Sequence, residues 1–175
     1  SAADGANESL WRMNRHRLSI EQWRDSVLAA TGELDLTGGK SLELDDAKNL
    51  RRTVHARVSR LKLNDLLMQF DYPDANVHAE KRSATTTPTQ KLFLLNSPFM
   101  RARAQAFATR VTTDASESDV ASIQRAYQLL YGRPADNTET AAALAFLRKP
   151  AAGETTRWQQ YAHALLMANE MLYVD

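Results

Sequence analysis

The stretch TPTQKLFLLNSPFMRARAQAFATRV (residues 87–111) contains two helix starts in succession and decides the fold class. Its opening TPTQ places a threonine at the N-cap, a proline at the first helical position and a glutamine at the third, which is a capping box. The Ser-Pro pair at 97–98 repeats the cap and the proline. The sequence therefore predicts two consecutive helices, at about 88–95 and 98–111.

Upstream of this stretch the signals are weaker and further apart. Ser19 stands three residues before Gln22, a second capping box, and the helix that it opens is expected to end at Gly32. Residues 33–50 lack periodicity and suit an exposed connection, whereas RRTVHARV (51–58) alternates and predicts a short strand or extended segment. A short helix at about 64–70 follows, ahead of a polar loop.

Three amphipathic helices are predicted downstream. The first spans 117–131, with Ser116 as a possible cap and Gly132 as the stop, and the second runs from Asp136 to just before Pro150. The last helix carries an apolar stripe of Trp158, Tyr161, Leu165, Ala168 and Leu172. Short loops between such helices predict an antiparallel bundle.

These elements predict an all-α, or mainly α, chain in two parts. Residues 1–112 form an irregular helical part with long polar loops and at most one short strand, and residues 113–175 form the antiparallel three-helix bundle. We expect the two parts to pack as one domain, because 175 residues suffice for one ordinary core.

Composition excludes several classes of function. The chain has no cysteine, so this segment holds no disulfide, no thiolate zinc site and no covalently attached c-type haem. The net charge of +1 gives no field that points to nucleic acid. We therefore expect no nucleic-acid partner. No apolar run approaches the length that a membrane-spanning helix needs, so we expect no membrane span.

The polar loop ahead of residue 88 concentrates the candidate ligand-binding side chains, because ligands are often held by polar groups on loops between helices. These candidates are Asp71, Asp74, His78, Arg82, Thr85, Thr86 and Thr87. Asp74 and His78 alternate like the start of a calcium loop, but Ala79 and Thr85 occupy the positions that require glycine and glutamate, so no metal is predicted. The alternative is structural: aspartates form turns, one threonine caps a helix and Arg82 bonds loop carbonyls.

A basic segment at 48–62 supplies the candidate anion-binding residues, because arginine forks bind sulfate or phosphate oxygens in bidentate fashion. They are Arg51, Arg52, Arg57 and Arg60. In the alternative, which we favour, these arginines pair with the acidic residues of the preceding loop or cover apolar surface. The sequence contains no nucleophile elbow or other catalytic constellation, so it identifies no catalytic residue and does not decide whether the chain is an enzyme.

As a set, six stretches resemble the C-terminal domain of unknown function of large planctomycete cytochrome-associated proteins. They are LWRMNRHRLSIEQWRDSVLAATGELDLTGG (10–39), RRTVHARVSR (51–60), LLMQFDYPDANV (66–77), RSATTTPTQKLFLLNSPF (82–99), AYQLLYGRPADNTET (126–140) and HALLMANEMLYVD (163–175).

The resemblance implies an extracytoplasmic (periplasmic or cell-surface) setting, neighbouring domains in the same parent chain and a c-type haem in a separate domain of that parent. It supplies no reaction and no catalytic residues. The first functional hypothesis is a non-catalytic interaction or scaffolding module of a larger exported protein. The alternatives are part of the active site of a multidomain enzyme acting on carbohydrate, and binding of an anion or sulfated polysaccharide through residues 48–62.

Overall fold

The computed structural model describes residues 15–40, 43–44, 46–74, 76–78, 80, 82–115, 118–151 and 153–174. Within them the order is β1 (His16–Arg17), α1 (Ile20–Thr31), a 3₁₀ helix (Thr53–His55), α2 (Asp65–Gln69), α3 (Pro88–Asn96), α4 (Pro98–Asp114), α5 (Asp119–Tyr131), α6 (Asn137–Leu147), α7 (Arg157–Leu166), α8 (Asn169–Leu172) and β2 (Tyr173–Val174). The predicted mainly α fold is confirmed.

Capping boxes open most of the longer helices where the sequence placed them. Ser19, Thr87 and Asp136 each accept a hydrogen bond from the backbone N–H three residues on, and the side chain at that position returns to the cap's own N–H. A fourth box at Thr156 opens α7. The cap of α5 is Ser118; the predicted cap, Ser116, lies outside the described residues.

Of the two predictions for 51–58, a short strand or an extended segment, the strand does not form. This stretch forms the 3₁₀ helix and extended backbone, and Arg51 makes an isolated bridge with Asp35. The small antiparallel sheet lies elsewhere: β1 pairs with β2, so that His16 faces Val174. The physical reason is that side chains from α1 bind the backbone groups of residues 49–53, which therefore do not form a ladder with another strand.

The predicted last helix is also divided. The helix α7 ends at Leu166, and α8 begins after Ala168, whose backbone is extended. The apolar stripe from Trp158 to Leu172 therefore does not lie on one continuous helix. The break lets the chain turn into β2, which returns to the start of α1.

The core is built around α4, which packs against α1, α5 and α7. On the α1 side, the ring of Trp23 stacks on Phe70 with centroids 5.5 Å apart and tilts against Phe99 at 6.4 Å. Residue 112, the predicted boundary between the two parts, lies inside α4. In the described residues no helix is both long enough and apolar enough to cross a membrane.

Candidate functional site

A groove of about 620 Å³ runs between α1 and the segment that contains the 3₁₀ helix, and we call it the α1 groove. It is lined by Leu18, Glu21, Gln22, Asp25, Ser26, Arg52, Thr53, Val54, Ala56, Val58, Leu67 and Tyr72. Its volume is in the range of ligand and peptide sites. Two predicted site residues from distant parts of the chain are linked to it: Arg52 lines the groove, and Arg82 pairs with Glu21 of its lining.

Ion pairs occupy the polar rim of the α1 groove. The Arg82 guanidinium lies 2.9 Å from both carboxylate oxygens of Glu21 and over the ring of Tyr72, 5.2 Å from its centroid. Arg52 Nε lies 3.1 Å from a carboxylate oxygen of Asp25. Because each guanidinium already has a carboxylate partner, the charges of these two pairs are balanced.

The floor of the α1 groove is apolar. Val54 is 70% exposed and Val58 is 44% exposed, although both are β-branched hydrophobic residues. They face the groove together with Leu67 and the ring of Tyr72. An apolar floor with a charge-balanced polar rim is the composition of a protein-contact surface.

Asp71 joins three segments beside the α1 groove. Its carboxylate accepts hydrogen bonds from the backbone N–H of Thr85 at 2.8 Å and from the Thr85 hydroxyl at 2.7 Å. It also pairs with Arg17 of β1 at 3.3 Å, and Arg17 donates further to the side-chain oxygen of Gln90 in α3. Asp71 has a left-handed backbone (φ 61°), a conformation that costs most residues energy.

The remaining loop candidates also make structural contacts. Thr86 bonds the hydroxyl of Tyr173, and Thr87 caps α3. Asp74 accepts from the backbone N–H of Asn76 in a tight turn, and His78 is exposed. Asp71, Arg82 and the three threonines thus each have a protein partner. Their binding of a ligand stays a prediction.

The four arginines of the basic segment do not converge. Arg51 pairs with Asp35 at 3.6 Å and Arg57 pairs with Glu43 at 3.0 Å, while Arg60 is exposed. Hydrogen bonds from Thr37 stabilise the ionised carboxylate of Asp35 and lower its pKa. Three of the four arginines, Arg52 included, therefore hold three different carboxylates. Asp35 and Glu43 belong to the preceding loop, as the structural alternative expects, whereas Asp25 belongs to α1. Anion binding by this segment stays a prediction.

Within the described residues, no cluster of three or more histidine, aspartate or glutamate side chains could hold a metal ion. The model of one protein family, described as "Protein of unknown function (DUF1553)" and also named PSD1, matches residues 1–147. The chain belongs to this family. No curated protein and no solved structure matches it.

The sequence did not identify the most deeply buried charge of this DUF1553 chain. Arg24 of α1 donates to the backbone oxygens of Asn49 at 2.5 Å and Arg51 at 2.8 Å, and its guanidinium lies 5.4 Å from the centroid of Phe99. Desolvation lowers the pKa of Arg24 to about 10. A signal was present: helical spacing places Arg24 one turn from Ile20, on the buried face of α1. This arginine holds one wall of the α1 groove in place.

A second charged cluster of the DUF1553 chain lies at the far end of the bundle. Arg133 binds Glu139 in bidentate fashion at 2.7 and 2.8 Å and Glu170 at 2.6 and 2.8 Å. These bonds lower the pKa of Glu139 to about 2. Because the three side chains join the α5–α6 connection, α6 and α8, their arrangement accounts for packing without a ligand.

Proposed function

We propose that this DUF1553 chain is a non-catalytic interaction or scaffolding module of a larger exported protein, and that the α1 groove contacts a neighbouring domain of the same polypeptide. The observation that carries the proposal is the exposure of hydrophobic side chains around the groove. Contiguous exposed apolar surface marks interaction sites more often than chance, because leaving it in water costs free energy.

The exposed hydrophobic residues extend beyond the groove itself. Leu61 is 99% exposed and Val77 is 65% exposed. A hydrogen bond of 2.7 Å from the side chain of Asn76 to the carbonyl of Arg60 holds their two segments together.

The partners that the candidate polar residues already have within the protein support a non-catalytic role. A catalytic acid, base or nucleophile needs a donor or acceptor directed at substrate. Asp71 instead holds the backbone and hydroxyl of Thr85, and Arg82 is engaged by Glu21 on one side and Tyr72 on the other. These groups stabilise the loop that borders the groove.

The neighbouring domain, in this proposal, belongs to a planctomycete protein that is located outside the cytoplasm and carries a c-type haem in a separate domain. Support comes from the sequence resemblance described above. The native full-length protein should appear in the periplasmic or surface fraction and give a pyridine haemochrome spectrum. A cytoplasmic, haem-free parent protein would remove this part of the proposal and leave the interaction role standing.

The interaction role is tested in the full-length protein with Val58→Asp and a matched control, Val120→Asp. Val58 and Val120 are 44% and 43% exposed, and Val120 lies on α5, outside the groove. Val58→Asp should increase proteolytic cleavage between domains several-fold, because a carboxylate cannot be desolvated in an apolar interface without large cost. Equal cleavage of both variants and of the unmodified protein would contradict the proposal.

A further inference from the structure

A second cleft, of about 470 Å³, lies between α4 and α7 on a different part of the molecule from the α1 groove. We call it the α4–α7 cleft. Its polar lining consists of Arg101, Gln105, Thr155, Gln159, Gln160 and His163, and the rest is leucine, proline and alanine. Among the residues that the structure describes, no acidic side chain lines it. A cleft with this lining offers hydrogen-bond donors and positive charge without a carboxylate to balance them.

Internal hydrogen bonds in the α7 half of the cleft engage the amide N–H₂ of Gln160 but leave donors on Gln159 and Thr155. The Gln159 side-chain oxygen accepts from the N–H of Thr156, so its amide N–H₂ group is left for other partners. The Thr155 hydroxyl oxygen accepts from Gln160, so the Thr155 proton is available to donate. Gln160 is itself held by Arg157.

The positive charge of the cleft comes from Arg101 in α4. Among the described residues, neither the guanidinium of Arg101 nor the amide of Gln105 has a hydrogen-bond or ion-pair partner, and both side chains are exposed. Across the cleft, His163 Nε2 lies 2.8 Å from the carbonyl oxygen of Leu94, and it donates because that oxygen only accepts. In the neutral ring the other nitrogen, Nδ1, is then an acceptor.

We propose that the α4–α7 cleft binds an acidic sugar, in which Arg101 holds the carboxylate of a uronic acid residue and Gln105, Gln159 and Thr155 donate to its oxygens. A uronate is rich in acceptors and negatively charged, which complements a donor-rich lining without acids. The volume suits a ligand of one or two sugar rings. The described lining of the cleft has no aromatic side chain, so charge and hydrogen bonds must supply the affinity that stacking would otherwise give.

The test is titration calorimetry of the protein with tri-galacturonate, alongside its methyl ester and an acidic tripeptide of the same charge. The acid should bind and the ester should bind at least about tenfold more weakly, since a hydrogen bond to a charged group contributes about 1.5–3 kcal/mol, or roughly 10- to 150-fold. Tighter binding of the tripeptide than of the sugar would overturn the ligand class. No binding of tri-galacturonate up to about 10 mM would overturn the site.

The site is checked with Arg101→Ala and the control Arg60→Ala, an exposed arginine of the basic segment. Arg101→Ala should raise the dissociation constant about tenfold or more, while Arg60→Ala should change it less than about twofold. Both arginines are exposed, so folding should be retained, and circular dichroism verifies it. If Arg60→Ala abolishes binding and Arg101→Ala does not, the acidic sugar binds the basic segment and the α4–α7 cleft is not the site.

Discussion

Replacing Asp71 separates a structural role of the polar loop from a role in ligand binding. Alanine at this position removes two hydrogen bonds to Thr85 and one ion pair with Arg17. The Asp71 side chain is 17% exposed and that of Arg17 is 10% exposed, so water only partly replaces the lost partners. The bonds to the Thr85 N–H and hydroxyl together contribute about 2 kcal/mol, taking about 1 kcal/mol for each, the ordinary net value of a hydrogen bond, because the site is near the surface.

The backbone adds a second contribution. Asp71 has φ 61°, where an alanine costs roughly 1 kcal/mol more than glycine. We therefore expect Asp71→Ala to lower the free energy of unfolding by about 3 kcal/mol and Asp71→Gly by about 2 kcal/mol. Asp71→Asn should lower the free energy of unfolding by only about 1 kcal/mol, because asparagine tolerates this conformation and retains one acceptor oxygen.

Urea denaturation followed by circular dichroism measures all three variants, and the slope of free energy against urea should stay constant. The order Asn, Gly, Ala, from least to most destabilised, is expected if Asp71 stabilises the loop through its bonds to Thr85 while its own backbone is left-handed. If Asp71→Ala changes the free energy of unfolding by less than about 0.5 kcal/mol, the bonds of Asp71 do not stabilise the loop. Unchanged stability with loss of binding or turnover in the full-length protein would instead place Asp71 in a ligand site.

Three further predictions concern the rest of the fold. Arg24→Met should lower the free energy of unfolding by about 3 kcal/mol in urea, because two loop carbonyls lose their buried charged donor; a neutral result would contradict the role of Arg24 in holding that loop. The low pKa of Glu139, about 2 against an ordinary 4.5, adds stability that is present above about pH 4.5 and lost as the pH falls towards 2. Because solvent screens this ion pair, the stabilisation from ionised Glu139 should be only about 1 kcal/mol. In Glu139→Gln the free energy of unfolding should therefore change less with pH between about 2 and 4.5. Gly132→Ala should cost about 1 kcal/mol for its φ of 71° alone, and Gly32→Ala should cost more, because the added Cβ also lies 3.2 Å from Arg110 Nη1; equal melting temperatures for the two would refute the steric part.

The helix starts were predictable because their chemistry is local. A capping box is complete within four residues, so Ser19 with Gln22 and Asp136 with Glu139 could be recognised without knowledge of the tertiary structure. The stop at Gly32 was equally local, since a left-handed residue after a helix favours glycine. Local signals thus gave the order and most bounds of the helices, and the mainly α class followed from them.

The errors occurred where distant residues decide the backbone. The strands β1 and β2 have two residues each, and His16 meets Val174 from the other end of the described chain. No pattern of two residues predicts such a pairing. Residues 51–58 alternate like a strand, but Arg24 and Asp25 from α1 bind the backbone around Thr53 and hold it in a 3₁₀ turn. The partners of Asp71 are likewise 14 and 54 positions away.

The same limit applies to the arginines, and it decides where a ligand should be sought. In the sequence the densest basic segment attracts attention, yet Arg52 and Arg57 are held there by carboxylates. In α4, Arg101 and Arg103 stand two positions apart, about 200° around a helix, and so lie on different faces. Arg103 is buried and lies 3.0 Å from Glu33, off the direction of a hydrogen bond, whereas Arg101 faces the α4–α7 cleft. The face of the helix on which an arginine lies therefore decides whether its charge is available to a ligand. On this basis Arg101 is a better candidate for binding an anion than the paired arginines of the basic segment.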